Sequence, residues 1–143
     1  MSYFLSFRLL LIYVLLNFSA SISWFVFKEP VDPILLGIPM YHEIIPKKEA
    51  RDLRTIRSKL DTDKYDSIDA WEADMELMFS NAIKFNGLES EVGQVAVQLE
   101  EKMREEVGKL RVQLNQPQTK KRPANGDSKG GTSTPVAKKV RVV

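Results

Sequence analysis

With 143 residues, 43% hydrophobic and 28% charged, the chain has the balance of one globular domain plus tails. It has no cysteine and a single histidine, His42, which excludes a disulfide framework, a Cys/His zinc site and thiol chemistry. The net charge of +2 is uneven: residues 117–143 hold seven Lys/Arg against Asp127 and carry +6, which leaves −4 on residues 1–116, a sign better suited to basic peptides than to nucleic-acid phosphates.

Residues 1–23 are apolar almost throughout. Arg8, the run from Leu9 to Leu16, and the small residues Ser19, Ala20 and Ser21 have the outline of a signal peptide, and the uncharged stretch from Leu9 to Phe27 has the length of a candidate membrane span. Three readings stay open: an unusual, wholly apolar first helix, a membrane or secretory signal, or a segment foreign to the mature domain such as a mistaken first exon. Export conflicts with the tail, where KKR at 120–122 and KKVR at 138–141 resemble a bipartite nuclear import signal.

The stretch KEPVDPILLGIPMYHEIIPKKEA, residues 28–50, contains four prolines and Gly37, which break any long helix. It is predicted to be a long loop. Its apolar content (Val31, Ile34, Leu35, Leu36, Ile38, Met40 and Tyr41) is unusual for a solvated loop and suggests packing over a core or lining a pocket. A short helix follows from about Asp52 to Leu60, with Leu53, Ile56 and Leu60 on one face.

DTDKYD at 61–66, with Glu72 beyond it, has a faint likeness to a calcium loop, but Asp66 stands where the turn glycine belongs and Tyr65 where a ligand belongs. A polar turn is the better reading. Ser67 is placed to cap a helix from about Ile68 to Phe85, in which Ile68, Trp71, Met75, Met78, Phe79 and Ala82 form the apolar stripe and Asp69, Glu72, Asp74 and Glu76 fall on other faces. After Ser90, the spacing of Val92, Val95, Ala96, Leu99, Met103, Val107, Leu110 and Leu114 predicts a second long helix that stops before Pro117. Residues 117–143, rich in Pro, Gly, Ser, Thr and Lys and without aromatics, are predicted to be a disordered basic tail.

FSNAIKFNG, residues 79–87, ends the first long helix on Asn86 and Gly87. Such a pair is an ordinary way for a helix to stop. On these nine residues alone a plain cap is the better reading, with a side-chain amide presented to a ligand as the alternative.

In order and spacing, WFVFKEPVDP, IPMYHEII, DLRTIRSKL, YDSIDAWEADMELMFSNAIKFNG and SEV resemble the bromodomain family across roughly Trp24 to Leu114. The resemblance implies an all-α, left-handed four-helix bundle of Z, A, B and C helices, with the apolar stretch as a long ZA loop and Asn86 to Ser90 as the BC loop. On that basis residues 24–116 form the bundle, between the apolar segment 1–23 and the basic tail 117–143.

The implied function is non-enzymatic binding of acetylated lysine on histone tails or transcription proteins. Asn86 matches the asparagine whose amide donates to the acetyl carbonyl, and Tyr41 the tyrosine that reaches it through a water. Phe27, with Phe25 and Val26, stands at the Trp-Pro-Phe shelf, where either Trp24 or Phe25 takes the first aromatic place and Val26 replaces the proline. Val31, Leu36 and Ile38 match apolar wall positions, Phe85 the aromatic before the asparagine, and Val92 the gatekeeper. Asn81 resembles the helix-B asparagine that holds the ZA loop. The family usually carries Pro-Met-Asp before the A helix. Here PKKEARD is longer by about two residues, with the proline at Pro46 and only Asp52 retained.

The chemistry agrees with these roles. Acetylation removes the lysine charge and leaves an amide that an apolar cleft accepts, whereas an ammonium would be desolvated at a cost of several kcal/mol. So small a ligand binds in the micromolar range or more weakly, at roughly 0.3–1.5 kcal/mol per heavy atom before ordering costs. Glu29, Asp32, Glu89 and Glu91 near the mouth offer attraction to basic peptide flanks, although for any one of them a merely solvated loop charge is the better reading.

No cofactor or metal is implied, and no enzyme emerges: Glu100 and Glu101 diverge on their helix, and His42, read as a solvated loop histidine, has no Ser or Cys partner. The resemblance further implies nuclear placement in a larger chromatin or transcription complex, closer to bromodomains attached to general transcription factors such as TFIID subunits than to the tandem readers. Contact of the basic tail with nucleic acid is a further expected interaction, and a membrane partner is not. The alternative is a degenerate bromodomain that has lost the pocket and acts as a protein-interaction scaffold through its C-terminal helix and basic tail.

Overall fold

The computed structural model describes residues 11–12 and 22–115, which are helical with no strand among them. A 3-10 turn at Ile22–Phe27 opens the long loop. That loop holds the one-turn helix α1 (Tyr41–Ile44) and a second 3-10 turn at Lys47–Glu49. Three helices follow: α2 (Leu53–Asp61), α3 (Ile68–Asn86) and α4 (Glu91–Asn115).

Each of the three longer helices begins where a side chain satisfies a free backbone donor. Asp52 caps α2, accepting from the Thr55 N–H at 2.9 Å and the Thr55 hydroxyl at 2.6 Å. Ser67 caps α3 through the Ala70 N–H at 3.1 Å, and the Ser90 hydroxyl accepts from the Gly93 N–H at 2.9 Å at the start of α4. The turn after α2 places Asp63 at a φ of 54°, in the left-handed region that Asp tolerates. Gly87, with a φ of 89°, ends α3 one residue later than the sequence predicts, so Asn86 is its last helical residue.

Helices α3 and α4 form an antiparallel hairpin. At one end Ser90 donates its hydroxyl to the Gly87 carbonyl at 2.7 Å, and at the other Arg111 Nη2 reaches Asp69 and Glu72 at 2.5 Å each. Between them the two stripes bury Trp71, Met75, Met78 and Phe79 against Ala96, Leu99, Met103, Val107 and Leu110, with Ile56 and Leu60 of α2 closing the core. Burial of one such large side chain stabilises by about 1.5–3 kcal/mol. Trp24, Phe27 and Phe79 meet edge to face, with ring centroids 5.6–6.3 Å apart.

Leu11 is helical, fully buried and part of this same core, with Ile12 packed beside it. The remaining expectations for residues 1–21, and those for the tail 117–143, lie outside the described residues. Among the described residues no helix is long and apolar enough to cross a membrane, and no group of acidic or histidine side chains is arranged to hold a metal.

Three polar positions show more burial than the sequence indicates. Asp74, read as lying off the apolar stripe, is buried and accepts from Arg51 Nε at 2.7 Å, from the Tyr65 hydroxyl at 2.7 Å and from Lys59 Nζ. Tyr65, in the polar turn, is buried by that bond, and Lys59 also lies 4.6 Å above its ring. His42 is half-buried on α1 rather than solvated in a loop: its Nδ1 lies 3.1 Å from the Ile45 carbonyl and its ring packs edge to face on Tyr41.

Candidate functional site

A cavity of about 60 Å³ opens between the long loop and the α3–α4 turn. That volume holds a few ordered waters or the amide head of a small acylated side chain. Its walls come from four places.

Helix α3 supplies Met78, Asn81, Ala82 and Asn86, spaced so that one face of the helix floors the cavity over about 12 Å of axis. The 3-10 turn supplies Val26 and Phe27, the loop Glu29, Val31, Tyr41 and Arg51, and the start of α4 Val92. The lining is therefore mixed: apolar on the sides, amide and hydroxyl on the floor, one cation and one carboxylate.

Asn86 donates its Nδ2 to the Ala82 carbonyl at 2.9 Å, one turn back on its own helix. An amide nitrogen has two N–H groups, so this bond fixes the side chain and leaves a second donor for a ligand. Tyr41 is buried, and desolvation raises its hydroxyl pKa, so it stays neutral and able both to donate and to accept. Its ring is held by Phe85 with centroids 5.0 Å apart. Asn81, also buried, donates to the Glu49 carbonyl at 2.7 Å and ties the long loop down onto α3.

Of the residues singled out in the sequence, the cavity brings together Asn86, Tyr41, Phe27, Val31 and Val92, with Asn81 and Val26 beside them. Phe85 lies behind Tyr41 instead of on the wall. Leu36 and Ile38 do not line the cavity, and Leu36 is 60% exposed. Of the two aromatics competing for the first shelf place, Trp24 is buried in the core and Phe25 is 79% exposed, so neither borders the cavity.

Among the mouth acids, Glu29 lines the cavity and pairs with Arg54 at 2.9 Å, while Asp32 is occupied in accepting from the Ile34 and Leu35 N–H groups at 3.0 Å each. Glu89 and Glu91 are exposed.

Three lining residues escaped the sequence reading. Met78 and Ala82 sit eight and four residues before Asn86 on the same α3 face, a spacing that offered the signal. Arg51 gave no local signal. Its Nε holds Asp74, and its Nη1 donates to the Lys48 and Ala50 carbonyls at 2.9 Å each, so the guanidinium buttresses the loop as it borders the cavity.

The turn after Asn86 is equally constrained. The Gly87 carbonyl accepts from the Ser90 hydroxyl and N–H and lies so close to Gly93 that a Cβ there would be 2.0 Å away. That approach sets the spacing between Asn86 on one side of the cavity and Val92 on the other.

The sequence profile described as Bromodomain matches residues 12–98, more than half of the chain. Among curated proteins, the chain is 41% identical over 76 residues to Bromodomain-containing factor 1 of Candida albicans, covering 53% of this chain and 10% of that protein. It is 38% identical over 81 residues to the SWR1 complex bromodomain subunit bdf1 of Schizosaccharomyces pombe, covering 57% and 14%, respectively. To Transcription factor GTE10 of Arabidopsis thaliana it is 45% identical over 64 residues, covering 45% and 6%. The chain thus spans 14% or less of the length of these relatives. The profile match and the all-helical bundle agree, and the chain belongs to the bromodomain family.

Proposed function

We propose that this chain is a non-enzymatic reader that binds acetylated lysine on histone tails or transcription proteins, with Asn86 donating to the acetyl carbonyl and Tyr41 reaching it through a water. One observation carries the reading: Asn86, its amide already oriented by Ala82, the buried Tyr41 and the apolar side chains of Phe27, Val31 and Val92 border one small cavity. A neutral amide fits such a lining. An ammonium would lose its hydration there for a single carboxylate, Glu29, already paired with Arg54.

The relatives' names, a chromatin-complex subunit and a transcription factor among them, support nuclear placement and membership of a chromatin or transcription assembly. Weak single-site affinity then combines with other contacts in the assembly. In this reading residues 24–116 carry the reader and residues 117–143 a basic tail able to contact nucleic acid. The buried Leu11 and a family match that begins at residue 12 favour the apolar N-terminal segment as the source of the bundle's first helix.

The test is a titration of the full chain with matched acetylated and unmodified histone-tail peptides, followed by amide shifts in NMR, alongside Asn86→Ala. Shifts near Tyr41, Asn86 and Val92 with the acetylated peptides alone, lost in a folded Asn86→Ala variant, are the expected result. A folded chain indifferent to both peptide sets refutes the reader and leaves the scaffold role of the C-terminal helix and tail.

A further inference from the structure

Arg51 is an unusual neighbour for an acyl group. It borders the same cavity as Asn86, Tyr41 and Val92, yet its side chain is only 22% exposed. Three hydrogen bonds lock it: Nε to Asp74 and Nη1 to the Lys48 and Ala50 carbonyls. It therefore cannot swing into solvent to make way for a ligand without breaking a buried ion pair and freeing two loop carbonyls. Its Nη2 donates to no group among the described residues, so two N–H donors of a fixed cation retain hydrogen-bonding capacity.

The order of residues along α3 locates this cation. Asn86, Ala82, Asn81 and Met78 follow the cavity floor, and Asp74, which holds Arg51, lies one turn beyond Met78. Arg51, held by Asp74, thus borders the cavity at the end of the floor away from Asn86.

We propose that Arg51 makes this site sensitive to the polarity of the acyl chain beyond its carbonyl, so that an acyl-lysine bearing a hydroxyl there is taken in preference to the unsubstituted chain of the same length. The inference rests on the acyl-lysine reading of the cavity and extends it to ligand class. An unsubstituted chain reaching Arg51 displaces water from Nη2 and returns no acceptor, leaving a charged donor unsatisfied. A hydroxyl at the same place accepts from it.

β-Hydroxybutyryl-lysine and butyryl-lysine are the discriminating pair, since they differ by one hydroxyl. The full chain is titrated by calorimetry with one peptide carrying acetyl, butyryl or β-hydroxybutyryl on the same lysine, and with Arg51→Met. The expected result is that the wild type binds the hydroxybutyryl peptide about tenfold or more tightly than the butyryl peptide, the size of one hydrogen bond to a charged donor. In Arg51→Met the ratio falls to within about twofold of unity, because an apolar side chain no longer distinguishes the two chains.

A loosened loop would weaken all three peptides alike and leave the ratio unchanged, so the ratio separates specificity from structure. If Arg51→Met does not fold, the wild-type Arg51 Nε–H resonance carries the test, shifting with the hydroxybutyryl peptide and not with the butyryl one. Equal binding of the two longer acyl peptides, an unchanged ratio in a folded Arg51→Met, or binding of acetyl alone overturns the proposal while the reader function stands. Failure of every acylated peptide, acetyl included, removes the reader function and this inference with it.

Discussion

Gly93→Ala is the perturbation whose effect follows most directly from the geometry. A Cβ at position 93 would lie 2.0 Å from the Gly87 carbonyl oxygen and 3.0 Å from both the Gly87 carbonyl carbon and the Ser90 hydroxyl. Ordinary contact begins near 3.4 Å, so the Gly87 peptide must retreat by about 1.4 Å. The atoms in the way are backbone and a capping hydroxyl, neither of which has a free rotamer to escape into. Overpacking of this kind costs about 1–3 kcal/mol, against which alanine regains about 1 kcal/mol of helix propensity. A net loss of up to about 2 kcal/mol is expected, or up to roughly 15 °C in Tm for a domain of this size.

The shift also reaches the site, because Gly87 directly follows Asn86. In the proposed reader, an Asn86 amide that no longer meets the acetyl carbonyl forfeits a hydrogen bond, so affinity for an acetylated peptide should fall roughly fivefold or more. Denaturant melts and peptide titrations on the same sample read both effects. A Gly93→Ala variant that gains the propensity term, melting at or above the wild-type temperature with unchanged peptide affinity, would refute the close-approach argument.

Asp74→Asn should destabilise by about 2–4 kcal/mol at neutral pH, because Arg51 and Lys59 lose the carboxylate that compensates them. Burial alone pushes the Asp74 carboxyl up, but the donors from Arg51, Lys59 and Tyr65 together outweigh it and hold the pKa below the usual carboxylate value. A carboxyl depressed on folding gives stability that is present above its unfolded pKa, near 4, and is lost as pH falls through the folded value. Denaturant midpoints measured from pH 6 down to pH 2 should therefore decline less steeply below about pH 4 in Asp74→Asn than in wild type. Asn81→Ala frees the Glu49 carbonyl and should cost about 1–3 kcal/mol, with faster amide hydrogen exchange concentrated at residues 47–51 as the local signature. Arg111→Ala removes the clasp to Asp69 and Glu72, groups exposed enough that about 0.5–1 kcal/mol is expected, and the difference from wild type should vanish in about 1 M salt.

The helices were legible because stripe, cap and stop coincide in the sequence. Ser67 and Asp52 precede apolar residues at three- and four-residue steps, and Gly87 follows the last of them, so local chemistry and burial point to the same boundaries. The cavity was partly legible for the same reason. Asn86 and Tyr41 are polar groups in apolar stretches. Met78 and Ala82 hid within a stripe that serves the core and the cavity floor at once, and periodicity alone does not separate the two uses. Arg51, Lys59, Tyr65 and Asp74 were illegible on different grounds. Each reads as a solvated or turn residue in its own neighbourhood, and their mutual satisfaction depends on partners 9 to 23 residues away in the chain.

That same network explains how the loop accommodates its departure from the family pattern. The added residues between Ile45 and Asp52 fold as a 3-10 turn at Lys47–Glu49, closed by the Glu49 and Ala50 N–H groups on the Pro46 carbonyl at 2.8 and 3.1 Å. The three carbonyls the excursion turns outward are each taken up: Lys48 and Ala50 by Arg51 Nη1, and Glu49 by Asn81. Backbone groups satisfied in this way carry no desolvation penalty, so the extra length need not be repaid by distortion of the cavity. The longer loop is tied to α3 by Arg51 and Asn81, and Arg51 is also the residue that charges the far end of the cavity. The hold on this loop and the cation beside the cavity thus share one residue, Arg51, with Asp74 as the buried group on which both depend.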